Sequence, residues 1–157
     1  MAEIIMTCGR ICSGKSTYAQ KLGMELGAVI LSIDELMISI LGKETGDMHD
    51  EYVRRSEKYL YKKAAEIVSA GTDVILDWGF WTREQRSFAR CFFAERGIEC
   101  QLHYIHVSDE EWQRRIAQRN AEVEAGTNDA YFIDEGLAEK FRSIFQMPDR
   151  SEVDVLV

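Results

Sequence analysis

MTCGRICSGKST, from Met6 to Thr17, sets Gly9, four residues, and then Gly14, Lys15, Ser16 and Thr17 directly behind the apolar run EIIMTC (residues 3–8). A short apolar run reads as a buried strand. The residues from Lys15 to about Leu26 read as a helix that Gly27 closes. A glycine loop between a strand and a helix suits one ligand chemistry above others, a chain of phosphates. Glycines let the backbone turn several N–H groups inward, and the helix start adds unpaired donors and the positive end of its dipole. Lys15 supplies a cation for the β- and γ-phosphates, and the Ser16 hydroxyl a ligand for Mg²⁺. A turn that merely precedes a helix has no use for lysine and two hydroxyls at this register. The loop therefore predicts ATP and Mg²⁺ as cofactors. Gly9, Ser13, Gly14, Lys15, Ser16 and Thr17 are its candidate nucleotide-binding residues.

Working outward, AVILSI (28–33), TDVILDWG (72–79) and IECQLHYIHV (98–107) are three more apolar runs, and VDVLV (153–157) could add a fifth strand. Helical periodicity separates them. One helix opens around Asp34 with Ser32 and Glu35 at capping-box spacing, and another covers 51–70 with Leu60, Ala64, Ile67 and Val68 on one face. Thr82 and Gln85 open a helix to about Arg96 that should bury Phe88 and Phe92, and Ser108 and Glu111 open one over 109–120. Residues 121–131 lack periodicity and read as a mobile loop. Leu137, Phe141, Ile144 and Phe145 stripe a last helix before Pro148. Continuously apolar strands alternating with amphipathic helices describe an α/β fold, a parallel sheet with helices on both faces, and residues 1–157 read as one domain.

The chain has 157 residues, 46% of them hydrophobic and 29% charged, which argues against disorder. Its net charge of −8 repels nucleic-acid backbones at long range, so nucleic acid is a disfavoured partner although a local basic cleft could still hold it. No apolar run approaches the roughly 18 to 20 residues of a membrane span, and no targeting segment is read, so a cytoplasmic location without membrane partner is expected. Cys8, Cys12, Cys91 and Cys100 show no metal-binding spacing and are expected as free, mostly buried thiols. His103 and His106 fall in an apolar run, where packing or a hydrogen bond is the expected role.

Several residues could act on the phosphates. Asp34 follows the second strand, where the carboxyl ends of parallel strands line a ligand crevice, and it could accept the proton of an attacking hydroxyl. Asp77 closes the third strand behind apolar residues, the arrangement in which an acid orients Mg²⁺; it could instead face the acceptor or cap a turn. Arg115 and Arg119 share a helix face opposite Trp112 and Ile116. They could answer the charge of the transferring phosphoryl from a lid spanning approximately 112–133, while Arg114 points elsewhere. Trp78, Phe80 and Trp81 either wall an acceptor pocket with Arg83 or Arg86 as an anion hook, or pack a helix entrance against the core. No N-K-x-D segment reads guanine, which sets a GTPase aside.

Together these residues resemble the small P-loop kinases grouped with zeta-toxin, chloramphenicol phosphotransferase and polynucleotide-kinase-like ATP-binding proteins, the AAA-type domain 33 family. The likeness runs along nearly the whole chain. It rests on GRICSGKST (9–17), LSIDEL (31–36), VILDWGFWTREQR (74–86) and YIHVSDEEWQRRIAQRN (104–120). It implies a three-layer P-loop fold with a parallel sheet ordered 2-3-1-4-5, ATP with Mg²⁺, and phosphorylation of a hydroxyl. By position it implies Lys15 and Ser16 as nucleotide and metal ligands, Asp34 as the base, and Arg115 and Arg119 as lid arginines. Members of this family differ widely in acceptor, so the fold does not supply it. The expected function is an ATP-dependent kinase for a small-molecule hydroxyl, with no obligate protein partner. The alternatives are a 5′-hydroxyl nucleoside or polynucleotide kinase and a non-catalytic ATP-binding regulator.

Overall fold

A computed structural model describes residues 1–157. Five parallel strands, β1 (Ile4–Cys8), β2 (Val29–Ser32), β3 (Val74–Asp77), β4 (Cys100–Tyr104) and β5 (Val155–Leu156), form one sheet in the order β2-β3-β1-β4-β5. This is the order that the resemblance implies. Between them run α1 (Lys15–Leu26), α2 (Ile33–Leu41), α3 (His49–Ser69), α4 (Arg83–Ala94), α5 (Asp109–Glu124) and α6 (Glu135–Ile144). No helix is long and apolar enough to cross a membrane.

The strand sequences explain which strand is central. All five residues of β1 are buried, and so are Val74, Ile75 and Leu76 of β3, because helices cover both faces. One face, with Ile4, Met6, Leu76 and Leu102, packs on Tyr61, Ala64 and Val68 of α3 and on Ala89 and Phe93 of α4. The other face sets Ile5 and Ile75 against Ala19 of α1. Burying each such side chain contributes about 1.5–3 kcal/mol. The register brings Cys8 of β1 opposite Tyr104 of β4, and Ser32 of β2 opposite Asp77 of β3. Four carboxyl strand ends therefore meet at one edge of the sheet.

Local signals set the helix boundaries. Gly27 closes α1 in the left-handed region at φ 66°. Thr82 and Gln85 form the full reciprocal capping box, whereas at Ser32 the side chain accepts from the Glu35 amide alone. Four expectations need correction. Helix α3 starts two residues earlier than read, and α5 runs on through Glu124 into the segment expected as a loop. Of the four free cysteines only Cys8 is buried. Phe88 is 57% exposed, and the inward face of α4 is instead Arg86, Ala89 and Phe93.

Arg86 explains that last difference. Its guanidinium is buried, with Nε donating to Glu152 Oε1 at 3.0 Å and Nη1 to the carbonyls of Phe80 and Gln146, both at 2.9 Å. A charge can replace an apolar residue inside a core when every donor is used in this way. Arg86→Met is expected to destabilise the protein by about 3–5 kcal/mol, because it strands the Glu152 carboxylate and two carbonyls. Urea unfolding measures this, and a loss below about 1 kcal/mol would show the network to be dispensable.

Candidate functional site

The loop between β1 and α1 gathers the first part of the site. Gly9 donates its amide to Gly79 O at 3.3 Å, which ties the loop to the chain leaving β3. A Cβ on Gly9 would come within 2.6 Å of Ser13 Oγ and 2.8 Å of Ile105 O, so no larger residue fits. Gly14 adopts φ 95°, and a Cβ there would meet Arg115 Nη1 at 2.9 Å. Cys12 holds the left-handed region at φ 59°, where a side chain is strained. Ser13 is 2% exposed and its hydroxyl has no hydrogen-bond partner. No side chain caps α1 and its first turn holds no acid, while α2, α4, α5 and α6 each have both a side-chain cap and an acid. The glycine cradle, the orphaned hydroxyl and the uncapped helix start fit a phosphate chain.

Charged groups reach this loop from two sides. Lys15 Nζ donates to Arg10 O at 2.9 Å, inside the curve of the loop. Burial pulls its ammonium below the ordinary lysine value, and the nearby Asp77 and Asp34 carboxylates work against that shift. Ser16 and Thr17 lie exposed in the first turn of α1. Asp77 ends β3 beside them. Burial pushes its acid above the usual carboxylate value, the Ser16 hydroxyl and Lys15 oppose this, and the like charges of Asp34 and Glu35 add to it. Asp34 is exposed in the first turn of α2, near Lys15 and near Tyr131 of the segment that follows α5. No cluster of three or more His, Cys, Asp or Glu could hold a metal ion by itself. Mg²⁺ needs no such cluster, since one or two carboxylates plus phosphate oxygens suffice.

Helix α5 supplies the cations on the opposite side. Its Trp112 is buried and donates Nε1–H to Ile11 O at 2.6 Å, which fastens the helix to the loop. Arg115 donates through Nη1 to Ser13 O at 2.8 Å and through Nε to Glu111 at 2.9 Å. Arg119 Nη1 lies 3.3 Å from Cys12 Sγ, and its Nε is buried without a partner. Arg114 pairs with Glu111 on the outside. All the candidate residues (Gly9, Ser13, Gly14, Lys15, Ser16, Thr17, Asp34, Asp77, Arg115 and Arg119) thus gather at one edge of the sheet.

Arg10 escaped the sequence reading. It donates to Asp109 at 2.6 Å and to Val107 O at 2.8 Å, and its guanidinium lies 4.6 Å from the centre of the Trp112 ring. No sequence spacing links residue 10 to residue 109. The aromatic segment divides. Phe80 is buried at φ 46° under a stacked Trp78, and Trp81 packs edge-on against Phe141. Arg86 is sealed against Glu152 and Arg83 pairs with Asp149, so neither is free as an anion hook. The packing alternative describes Phe80, Trp81 and Arg86, and Trp78 alone stays beside Asp77, half-buried. His103 is buried in a hydrogen-bond chain with Tyr18 and Gln101, and His106 is exposed.

The AAA domain family (AAA_33) matches residues 4–148, and the chain belongs to it. No curated protein matches the chain by sequence. Among solved structures, a candidate kinase from Chloroflexus aurantiacus j-10-fl is 20% identical, with a TM-score of 0.75 over 99% of this chain and 84% of that one. Kti12 of Chaetomium thermophilum in complex with ADP-AlF3 is 18% identical, with a TM-score of 0.73 over 98% and 88%. The APS kinase CysC of Mycobacterium tuberculosis in complex with AMPPNP and APS is 21% identical, with a TM-score of 0.71 over 99% and 87%. At these identities the likeness is one of fold.

Proposed function

We propose that this member of the AAA domain family is an ATP-dependent kinase that transfers the γ-phosphoryl group to a hydroxyl of a small molecule. One observation carries the reading. Lys15 sits in a glycine loop with arginines on one side, Arg115 and Arg119, and two carboxylates on the other, Asp34 in the first turn of α2 and Asp77 at the end of β3. Phosphoryl transfer needs that polarity, with cations for the phosphates and an acid where the acceptor hydroxyl arrives.

The residues divide the work. Amides of residues 9–17 and the start of α1 hold the phosphate oxygens, and Lys15 exchanges its bond to Arg10 O for one to the β- and γ-phosphates. Mg²⁺, held by Ser16 and Asp77, would neutralise charge on the same oxygens. The acceptor oxygen attacks the γ-phosphorus, its proton passes to Asp34, and the bond to the β,γ-bridging oxygen breaks with its electron pair leaving on ADP. Arg115 and Arg119 oppose the charge that grows on the transferring group. In this reading the chain is one domain, and residues 112–133 act as a lid that excludes water.

ADP release from Mg-ATP tests the proposal, measured with pooled antibiotics, sugars, nucleosides and 5′-hydroxyl oligonucleotides. One small-molecule pool is expected to raise ADP release above the rate with ATP alone. A rise confined to oligonucleotides, weakening steeply with salt, would replace it with the polynucleotide-kinase alternative. ATP binding with no rise in any pool would favour a regulator.

A further inference from the structure

Charge is distributed unevenly across the site, and the unevenness bears on the acceptor. On the nucleotide side Lys15, Arg115 and Arg119 all contact atoms of the loop, and Arg10 is fixed beside them. On the acceptor side, Asp34 and Glu35 occupy the first turn of α2 at the end of β2, directly across from Asp77 at the end of β3. Glu57 lies on α3, whose Leu60 packs against Ile33 and Met37 of α2. Glu57 accepts from Tyr61 Oη at 3.1 Å beside the Trp78 indole.

Lys15 is the cation whose charge acts on both Asp34 and Asp77. Elsewhere Lys43 reaches Asp129 at 3.5 Å, Arg54 and Arg55 share the one carboxylate of Glu51, Arg83 pairs with Asp149, and Arg86 is buried against Glu152. Lys15 and a metal ion at Ser16 and Asp77 would balance Asp77 and part of the phosphate charge. Asp34 and Glu35 would remain uncompensated where the acceptor arrives. An acidic acceptor would enter against two carboxylates and a polyphosphate, whereas a protonated amine would find all of them attractive.

We infer that the acceptor is a cationic hydroxyl compound of the amino-alcohol or amino-sugar class, selected by Asp34 and Glu35 and favoured over sugar acids and phosphate esters. The inference rests on the kinase reading above. The amine supplies binding while a neighbouring hydroxyl of the same molecule takes the phosphoryl group and gives its proton to Asp34, so the transfer step is unchanged.

The test sorts acceptors by charge. ADP release from Mg-ATP is measured with cationic pools (amino sugars, aminocyclitols, amino alcohols), neutral pools (sugars, cyclitols, nucleosides) and anionic pools (sugar acids, hydroxy acids, sugar phosphates). The expected order in kcat/KM is cationic, neutral, anionic, with about tenfold between steps, as one charge pair a few ångströms apart in a partly solvated cleft gives. Because Asp34 and Glu35 are exposed, the cationic advantage should shrink as KCl is raised. Glu35→Lys should reduce or invert the order through KM for the acceptor, with KM for ATP held. A neutral or anionic preference overturns the inference, as does an order that neither salt nor Glu35→Lys moves. If Mg-ATP binds and no pool of any charge raises ADP release, the kinase reading fails and this inference falls with it. That result differs visibly from a wrong charge preference.

Discussion

Lys15→Ala is expected to lower ATP-dependent phosphoryl transfer by about three orders of magnitude or more. The ammonium is placed where both the reactant and the developing charge need it. It donates to Arg10 O at 2.9 Å across the loop and is drawn toward Asp77 and Asp34. Burial costs that charge solvation, and the cost is offset fully only when phosphate oxygens surround it. Alanine removes the cation and leaves the carboxylates facing the polyphosphate without a counter-charge. Both Mg-ATP affinity and turnover should therefore fall. Lys15→Met keeps most of the side-chain volume and should fall equally, which separates charge from packing. Calorimetric titration with Mg-ATP and ADP release in the presence of an active acceptor measure the two effects. A variant within tenfold of wild type in transfer would remove Lys15 from the mechanism.

Much of this site was legible before the fold was in hand, and the reason is local. Strand, loop and helix in the first 27 residues are specified by neighbours in sequence, an apolar run, the two glycines, and Gly27 at φ 66°. The Thr82–Gln85 box and the apolar faces of α3 and α5 are likewise set within four residues. What escaped was long-range. Arg86 lies inside the core because Glu152 meets it from sixty-six positions away, and its arrival there turns Phe88 outward. Arg10 and Asp109 pair across ninety-nine positions. Periodicity reads one helix face or one strand face and has no access to such pairs. The aromatic segment behind Asp77 illustrates the limit. Trp78, Phe80 and Trp81 offered a pocket wall or a packed helix entrance on equal terms; the buried Arg86–Glu152 pair under Phe80 O and the contact of Trp81 with Phe141 decide for packing at those two residues, and Trp78 stays half-buried beside Asp77.

That buried pair also reaches the chemistry. Phe80 holds the strained φ of 46°, with its carbonyl accepting from Arg86 Nη1 at 2.9 Å and lying 3.5 Å from Cys8 Sγ. One residue earlier, Gly79 O accepts from the Gly9 amide. The chain leaving Asp77 is thus fastened to the chain entering the phosphate loop. Strain of this kind persists where surrounding contacts over-determine it. The distance between the loop and Asp77 is set by these contacts rather than by sheet pairing alone.

Asp34→Asn should separate binding from chemistry. The substitution preserves the size of the side chain in the first turn of α2, and Ser32 still caps the Glu35 amide. Nothing in the glycine loop changes, so Mg-ATP affinity should stay within a few-fold of wild type. Transfer should fall by about two to four orders of magnitude, the span that general acid–base help provides. The loss should lie in kcat, with KM for ATP nearly constant, because the carboxylate is asked to act on the acceptor proton and not on the nucleotide. The neutral amide also lightens the negative charge on the acceptor side, so KM for a cationic acceptor should rise while that for a neutral one holds. A merely structural Asp34 predicts neither the split between kcat and KM nor the dependence on acceptor charge. Wild-type transfer by Asp34→Asn would assign the proton to another group, and Asp77 is the next carboxylate in reach.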